Sequence, residues 1–120
     1  MKNDFGGHDN NHHDNVYGYV GQAIGLYDAP MLDGHEDHFT NNKVVLTGSH
    51  VGAGTCSGTG KTVLSNNQYF TKDGKVTECN KDLADWQKDG NDQGSTVAAT
   101  PSDATIIGWA KQKLDPTAAH

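Results

Sequence analysis

Histidines and carboxylates cluster in the first half of the chain, and these are the side chains that could perform chemistry near neutral pH. Six of the seven histidines lie within the first 50 residues. An imidazole beside a carboxylate can exchange protons or ligate zinc and copper. If the protein is an enzyme, we expect the imidazoles to act as acid and base while neighbouring carboxylates orient them. The candidate catalytic residues are four consecutive ones, His35, Glu36, Asp37 and His38.

Further polar and aromatic residues are candidates for contacts with a substrate. Lys61 carries a positive charge that could meet a carboxylate of a ligand, and Trp86 offers a ring in a polar segment. The other two substrate candidates are His12 and His13. A divalent metal is the one cofactor that the histidines suggest, although the HExxH spacing is absent. Its candidate ligands are His12, His35 and His38. The alternative for the histidines and their acidic neighbours is that they are polar corner residues of a repeat, which are solvated or support its hydrogen bonds. The alternative for Lys61 is an ordinary residue of a turn.

The amino-acid composition makes some classes of binding partner unexpected. The chain has 120 residues, a formal net charge of -6, no arginine and only 33% hydrophobic residues. Nucleic acid is not an expected partner, because phosphate binding needs clustered cations and favours arginine. A membrane is not expected either, because no apolar run approaches the roughly 20 residues that span a bilayer. A chain this lean in apolar residues has to pack against a neighbouring molecule or use an architecture stabilised by backbone hydrogen bonds.

Three segments of the chain repeat a pattern with a period near 25 residues. Each carries an asparagine at the same place, and Asn15, Asn42 and Asn67 are 27 and 25 residues apart. Asparagine suits a corner because it tolerates left-handed backbone angles and its amide can hydrogen-bond to an equivalent amide in the next repeat. Downstream positions stay aligned two and nine residues later, at Tyr17, Val44 and Tyr69 and at Ile24, Val51 and Val76.

This period, with its short β-branched or aromatic strands, predicts an all-β fold, a short right-handed parallel β-helix of about two and a half coils. The coils would occupy residues 1–98 and form the C-terminal part of a longer solenoid with an open N-terminal coil. Thr100 and Pro101 then predict a helix start. An amphipathic α-helix over 99–115 would cap the last coil, and 116–120 would form a tail.

The two cysteines occupy nearly matching places on consecutive repeats. Cys56 follows Asn42 by 14 residues, and Cys79 follows Asn67 by 12. Stacked coils lie close enough for a disulfide. The sequence therefore predicts a Cys56–Cys79 bridge, with two free thiols as the alternative. A disulfide is typical of an oxidising compartment, so we expect an extracellular protein cut from a longer precursor, since this chain shows no signal peptide.

Three stretches of the chain resemble the closing coils of right-handed parallel β-helix proteins of the pectate-lyase-like superfamily. They are residues 34–45, 56–62 and 103–110. The resemblance implies binding or cleavage of acidic polysaccharides by β-elimination or hydrolysis, although other members are adhesins or structural solenoids. The elimination enzymes of that superfamily typically use calcium and a Lys or Arg base, and this chain lacks arginine.

The function expected from the sequence is carbohydrate-related: an extracellular protein that binds or degrades polysaccharide, as a lyase or glycoside hydrolase if it is an enzyme. The alternative from another class is a structural or assembly module without catalysis, which would associate with itself through the open N-terminal coil. A third interpretation is a histidine-rich protein that binds a transition metal.

Overall fold

The computed structural model describes residues 9–24, 34–51 and 62–114 of the chain. The described ranges hold short strands and two helices, in an order that places the helices towards the C-terminus. The elements are β1 (Asn11–His13), β2 (Val16–Val20), β3 (His38–Thr40), β4 (Lys43–Leu46), β5 (Val63–Ser65), β6 (Gln68–Thr71), α1 (Leu83–Lys88), β7 (Thr96–Ala99) and α2 (Asp103–Leu114).

The strands form two parallel sheets, one of three strands in the order β1-β3-β5 and one of four in the order β2-β4-β6-β7. A two-residue turn joins β1 to β2, and equivalent turns join β3 to β4 and β5 to β6. Each pair is therefore one strand–turn–strand unit, which contributes one strand to each sheet. We refer to the pairs as the first, second and third units.

The predicted alignment of the repeats is confirmed by the strand register. Tyr17 pairs with Val44, and Val44 pairs with Tyr69. In the smaller sheet, His12 pairs with Phe39, and Phe39 pairs with Leu64. These aligned positions face the core, where apolar burial supplies the main driving force. The buried cluster comprises Ala23, Ile24, Phe39, Val44, Leu46, Val51, Leu64, Tyr69, Val76, Leu83 and Trp86.

The prediction of an all-β, multi-coil parallel β-helix is wrong, and so is the resemblance to the pectate-lyase-like superfamily that accompanied it. The chain has a mixed α/β fold, in which two small parallel sheets combine with two helices. The description as a solenoid fails for the same reason. The repeat aligned the first six strands correctly, but it carried no information about the segment after β6, where α1 forms and β7 joins the larger sheet.

Helix α1 closes the core beyond the third unit. Asp82 caps it by accepting a hydrogen bond of 2.8 Å from the backbone N–H of Asp85, which satisfies one free donor of the first turn. Leu83 and Trp86 lie on its buried face. Trp86 Nε1 is the one buried side-chain N or O atom without a hydrogen-bond partner among the described residues. The ring therefore lies in the core for its apolar area.

Helix α2 was predicted to cap the last repeat, and that position is wrong. It lies across the outer face of the larger sheet, where Trp109 packs on Phe70 with ring centroids 5.0 Å apart. The ammonium group of Lys43 lies 5.7 Å from the same indole ring. At the other end of the helix, Ile106 contacts the first unit beside Gly18. The apolar side chains of Trp109 and Ile106 thus hold the helix on the sheet.

The N-terminus of α2 begins later than the sequence predicted. Ser102, and not Thr100, caps the helix, because Ser102 Oγ accepts a 3.3 Å hydrogen bond from the N–H of Thr105. The phenol of Tyr19 in β2 donates a hydrogen bond to the Asp103 carboxylate and ties this end of the helix to the first unit. Within the described ranges, no helix has the length and apolar character needed to cross a bilayer.

Candidate functional site

The turn within each unit places its two corner residues in different conformations. The first residue has a positive φ, which is 57° at Asp14 and 55° at both Asn41 and Asn66. Gly94 (75°) precedes β7 at the equivalent position. Asp, Asn and Gly tolerate this left-handed region better than other residues. The aligned asparagines of the repeat, at the second corner residue, do not take the left-handed angle that their residue type tolerates.

The second corner residue instead binds the unit before it. Asn42 Oδ1 accepts the backbone N–H of Asn15 at 2.9 Å, and Asn67 Oδ1 accepts that of Asn42 at 3.0 Å. The amide nitrogens donate backwards too, from Asn42 to the carbonyl of His12 and from Asn67 to that of Phe39, each at 3.0 Å. Each asparagine side chain therefore holds the main chain of the preceding unit at two points.

A buried polar network ends this series at the third unit. The N–H of Asn67 donates to Ser95 Oγ at 2.9 Å, and Ser95 Oγ donates to Asp92 Oδ1 at 2.5 Å. The phenol of Tyr69 donates to Asp92 Oδ2 at 2.7 Å. Burial raises the pKa of Asp92 and raises that of Tyr69 well above its usual value. Because both carboxylate oxygens already accept hydrogen bonds inside the core, this network is structural.

In the first unit, the positions equivalent to these buried residues are exposed or half-buried. Asn15 is exposed, and its amide nitrogen donates to the phenol of Tyr17 at 3.3 Å. Tyr17 is half-buried and stacks on Phe39 with ring centroids 5.7 Å apart. His12 is half-buried, at a position where the next two units have Phe39 and Leu64 in the core. An amide, a phenol and an imidazole therefore occupy the end layer of the core.

A cleft of about 360 Å³ opens between the start of β2 and the last turn of α2. Its polar groups are a carboxylate, an amide, a phenol and an ammonium group, and aliphatic side chains form the remaining walls. Leu114, at the end of the helix, is 87% exposed. The lining residues are Asp14, Asn15, Val16, Tyr17, Ala110, Lys113 and Leu114.

The carboxylate of the cleft is ionised near neutral pH. The Nδ1 atom of His13 lies 2.6 Å from Asp14 Oδ2, and this hydrogen bond is the main cause that lowers the pKa of Asp14. The positive charge of Lys113 acts in the same direction. His13 is thus at the rim of the cleft, where it fixes the charge of the neighbouring carboxylate.

The four candidate catalytic residues occupy different surroundings. His35 Nδ1 lies 2.7 Å from Asp9 Oδ2 at the surface, and Glu36 Oε1 accepts the N–H of Gly34 at 3.0 Å. Asp37 is 1% exposed. His38 starts β3, where it lies between Asn11 of β1 and Val63 of β5.

The buried carboxylate of this segment has a structural role. Asp37 Oδ1 accepts hydrogen bonds from the backbone N–H of Asn10 at 2.8 Å and from its side-chain amide at 3.1 Å. It holds the first unit to the second, as the corner asparagines do. None of the four residues lines the cleft, and an acid–base role for the segment stays a prediction.

The remaining candidate residues are placed as follows. Trp86 is 2% exposed and belongs to the core, so its ring is not available to stack on a ligand. Cys79 is disulfide-bonded. Its predicted partner Cys56 and the predicted ligand contact Lys61 lie outside the described residues, and the Cys56–Cys79 pairing stays a prediction. No group of three His, Cys, Asp or Glu side chains suited to a metal ion occurs in the described part of the chain.

Sequence reasoning missed the residues that line the cleft. Nothing in the repeat connects Asp14 with Lys113, because α2 lies outside the repeated segments and its position depends on tertiary packing. From the sequence, Lys113 is recognisable only as a cation in the last turn of a predicted helix. The sequence signal for the position of α2 is a pair of aromatic residues, Phe70 and Trp109, whose rings pack together in the structure.

Comparison with known proteins gives no relative: no protein family, no curated protein and no solved structure matches the chain. The resemblance to pectate-lyase-like proteins therefore has no support from these comparisons, in addition to its conflict with the fold. Function has to be argued from the cleft and from the two ends of the core.

Proposed function

We propose that the protein binds polysaccharide in the cleft between β2 and α2. The observation that carries the proposal is the combination of groups in that cleft, where planar polar side chains and aliphatic ones line the same space. A sugar ring needs both, because its hydroxyls form hydrogen bonds at the edge while its C–H faces pack on apolar surface. The volume is at the lower end of the roughly 300–1,000 Å³ typical of ligand sites, which suits a short stretch of a longer chain.

Each polar group of the cleft has a distinct part in this binding. Asp14 is an ionised acceptor for sugar hydroxyls, since the contact with His13 lowers the pKa of its carboxyl. Asn15 offers both a donor and an acceptor. Lys113 donates to a hydroxyl or to a sugar carboxylate. Val16 and Leu114 supply the apolar contact for a ring face.

The proposal is for binding, without cleavage by the histidine segment at 35–38. In that segment Asp37 holds the first unit to the second, and none of the four residues lines the cleft. An extracellular setting is part of the proposal, and the disulfide-bonded Cys79 supports it, since stable disulfides form in oxidising compartments.

A matched pair of lysine variants tests the proposal. Binding of the purified chain to soluble neutral and acidic polysaccharides would be measured by affinity electrophoresis and calorimetry. Lys113→Gln should weaken binding at least about tenfold, because a hydrogen bond from a charged group contributes about 1.5–3 kcal/mol. Lys111→Gln makes the same charge change on the same helix, outside the cleft lining, and should leave the affinity unchanged.

A third variant separates the carboxylate from the general charge of the chain. Asp14→Asn keeps a residue that tolerates the left-handed turn while removing the ionised acceptor, so it should also weaken binding. The proposal is abandoned if no polysaccharide of the panel binds, or if the two lysine variants lose affinity equally. Preference for acidic over neutral chains would assign Lys113 to a sugar carboxylate.

A further inference from the structure

The outer faces of the two sheets differ in what covers them. Helix α2 lies on the outer face of the larger sheet, where Trp109 packs on Phe70, and α1 buries its apolar face in the core. The smaller sheet turns Phe39 and Leu64 into the core, so the alternate residues of its strands point outwards. Those outward side chains are exposed or half-buried.

Two rows of polar side chains run along the line where this outer face meets the corner turns. The strand register aligns one residue of each unit on the sheet, and the left-handed turn residues that follow are aligned in the same way. Neighbouring strands lie about 4.8 Å apart, so each row spans about 10 Å. We call them the face row, His13, Thr40 and Ser65, and the corner row, Asp14, Asn41 and Asn66.

In the second and third units, the side chains of these rows add no hydrogen bond to the fold. The main chain of the corners is fully used, since the N–H of Asn41 donates to the carbonyl of Ser65 at 3.2 Å and that of Asn66 to the carbonyl of Gln93 at 2.9 Å. Within the described ranges, however, none of the four side chains in these two units makes a hydrogen bond. Their hydroxyls and amides are therefore open to a ligand.

The two rows begin at the cleft and end at the third unit. Asp14 lines the cleft and starts the corner row, and His13, which starts the face row, has its Nδ1 atom 2.6 Å from Asp14 Oδ2. Beyond the third unit, Gln93 is next to Ser65 in the register, and its side chain already donates to carbonyls at and after the end of α1. Gly94, at the next corner, has no side chain.

The chemistry of the rows favours an uncharged chain of hydroxyl groups as the occupant. The amides and hydroxyls of the second and third units can each donate and accept. These two units contribute no charged residue to the rows, whereas nucleic acid needs clustered cations. They contribute no aromatic residue or arginine either, and those are the usual anchors of protein interfaces. A sugar chain needs neither, and it presents hydroxyls at regular intervals.

We propose that a polysaccharide held in the cleft continues along the two rows, which form a binding track over the second and third units. This inference rests on the proposed function and extends it, because it makes the site one for a chain of linked sugars. Asp14 and His13 contact the sugar at the mouth of the cleft. The residue pairs that follow, Thr40 with Asn41 and Ser65 with Asn66, contact the next sugars in equivalent ways.

Fragments of two lengths test the track by calorimetry. Disaccharides and octasaccharides would be prepared from the polysaccharide of the panel that binds the chain most tightly. The disaccharide fills only the cleft, whereas the octasaccharide also reaches the two rows. The octasaccharide should bind at least about tenfold more tightly, because each added hydrogen bond strengthens binding about two- to tenfold.

The variants remove side-chain groups of the rows without disturbing the turns. Asn41→Gly combined with Asn66→Gly keeps the left-handed angles, which glycine adopts freely, and should weaken octasaccharide binding about tenfold while the disaccharide is unaffected. Its control is Asn80→Gly, at an exposed asparagine outside the rows with a φ of 63°. Thr40→Val keeps the branched shape of the side chain and should weaken octasaccharide binding at least about twofold. Thr96→Val in β7 is its control.

The outcomes distinguish the track from the cleft. Lys113→Gln should weaken binding of both fragments, because it acts in the cleft. Equal affinity for the two fragments, weakened in Lys113→Gln, would support the cleft and overturn the track. Octasaccharide binding that the row variants do not change, or that their controls change equally, would also overturn the track, because a longer fragment can gain affinity merely from having more positions to occupy the cleft. If no polysaccharide of the panel binds, both proposals fall together.

Discussion

Tyr17 and Tyr69 occupy the same register position at opposite ends of the core, and their surroundings differ completely. Tyr69 is 0% exposed and donates its phenol proton to the buried Asp92. Tyr17 is half-buried, and its phenol accepts from the exposed amide of Asn15. Burial raises the pKa of both phenols, and that of Tyr69 more strongly. The repeat therefore sets the backbone position of each tyrosine. The residues packed around that position set its exposure, its hydrogen bonds and its pKa.

The corner asparagines differ in the same way. Asn67 is fully buried and binds the main chain of the second unit, the side chain of Asp92 and the hydroxyl of Ser95. Asn15 gives its backbone N–H to the second unit but keeps its side chain at the surface. Identical residue types thus stabilise the fold at one end of the core and are exposed at the other.

The largest difference is expected in stability, when the side-chain amide of Asn67 or that of Asn15 is removed in separate variants. Asn67→Ala leaves the N–H of Asn42 and the carbonyl of Phe39 buried without partners, and each orphaned group costs about 1–3 kcal/mol. The free energy of unfolding should fall by about 2–4 kcal/mol. Asn15→Ala should change it by no more than about 0.5 kcal/mol, as surface substitutions do. Urea unfolding of both variants measures this difference, and equal losses would refute the contrast between the ends.

A smaller effect is expected in the pH dependence of stability at the buried end. Burial raises the pKa of Asp92 in the folded protein, whereas the unfolded value is about 3.9. Between these two pKa values the folded state binds a proton that the unfolded state has lost. The free energy of unfolding therefore falls as the pH rises through that window, with a limiting slope of about 1.4 kcal/mol per pH unit.

The matched comparison for this dependence is Asp92→Asn against Asp85→Asn, which removes an exposed carboxylate of α1. The difference in unfolding free energy between the natural chain and Asp92→Asn should decrease as the pH rises from about 4. Asp85→Asn removes one negative charge in the same way without removing a buried, hydrogen-bonded carboxyl. If the difference in unfolding free energy between the natural chain and Asp92→Asn does not change with pH, the Asp92 carboxyl has an ordinary pKa in the folded protein.

The sequence predicted the strand alignment because that information is periodic. Asn15, Asn42 and Asn67 recur with aligned apolar positions, and the strands pair accordingly. The fold class was wrong because six residues after Asp82 form a helix on local signals that the repeat does not contain. Trp86 looked available because its sequence neighbours are polar, yet its ring fills the core at 2% exposure.

The candidate site was less predictable than the fold. His13 was selected as a substrate contact and lies beside Asp14 at the rim of the cleft, but the lysine opposite was not foreseen. Its position depends on Trp109 packing against Phe70, a contact between segments that share no pattern. A cleft made by tertiary packing between a strand and a distant helix has no signature in the order of residues.

Mapping of backbone amide shifts by NMR during titration with an oligosaccharide tests the central claim that the open end of the core is the working surface. The titration should be run in dilute solution, with a fragment of a polysaccharide that binds the chain. The account predicts shifts that concentrate at residues 15–17 and 110–114, with the equivalent positions 67–69 unchanged. Shifts centred on α1 and the Asp92 network, with none around the cleft, would contradict it.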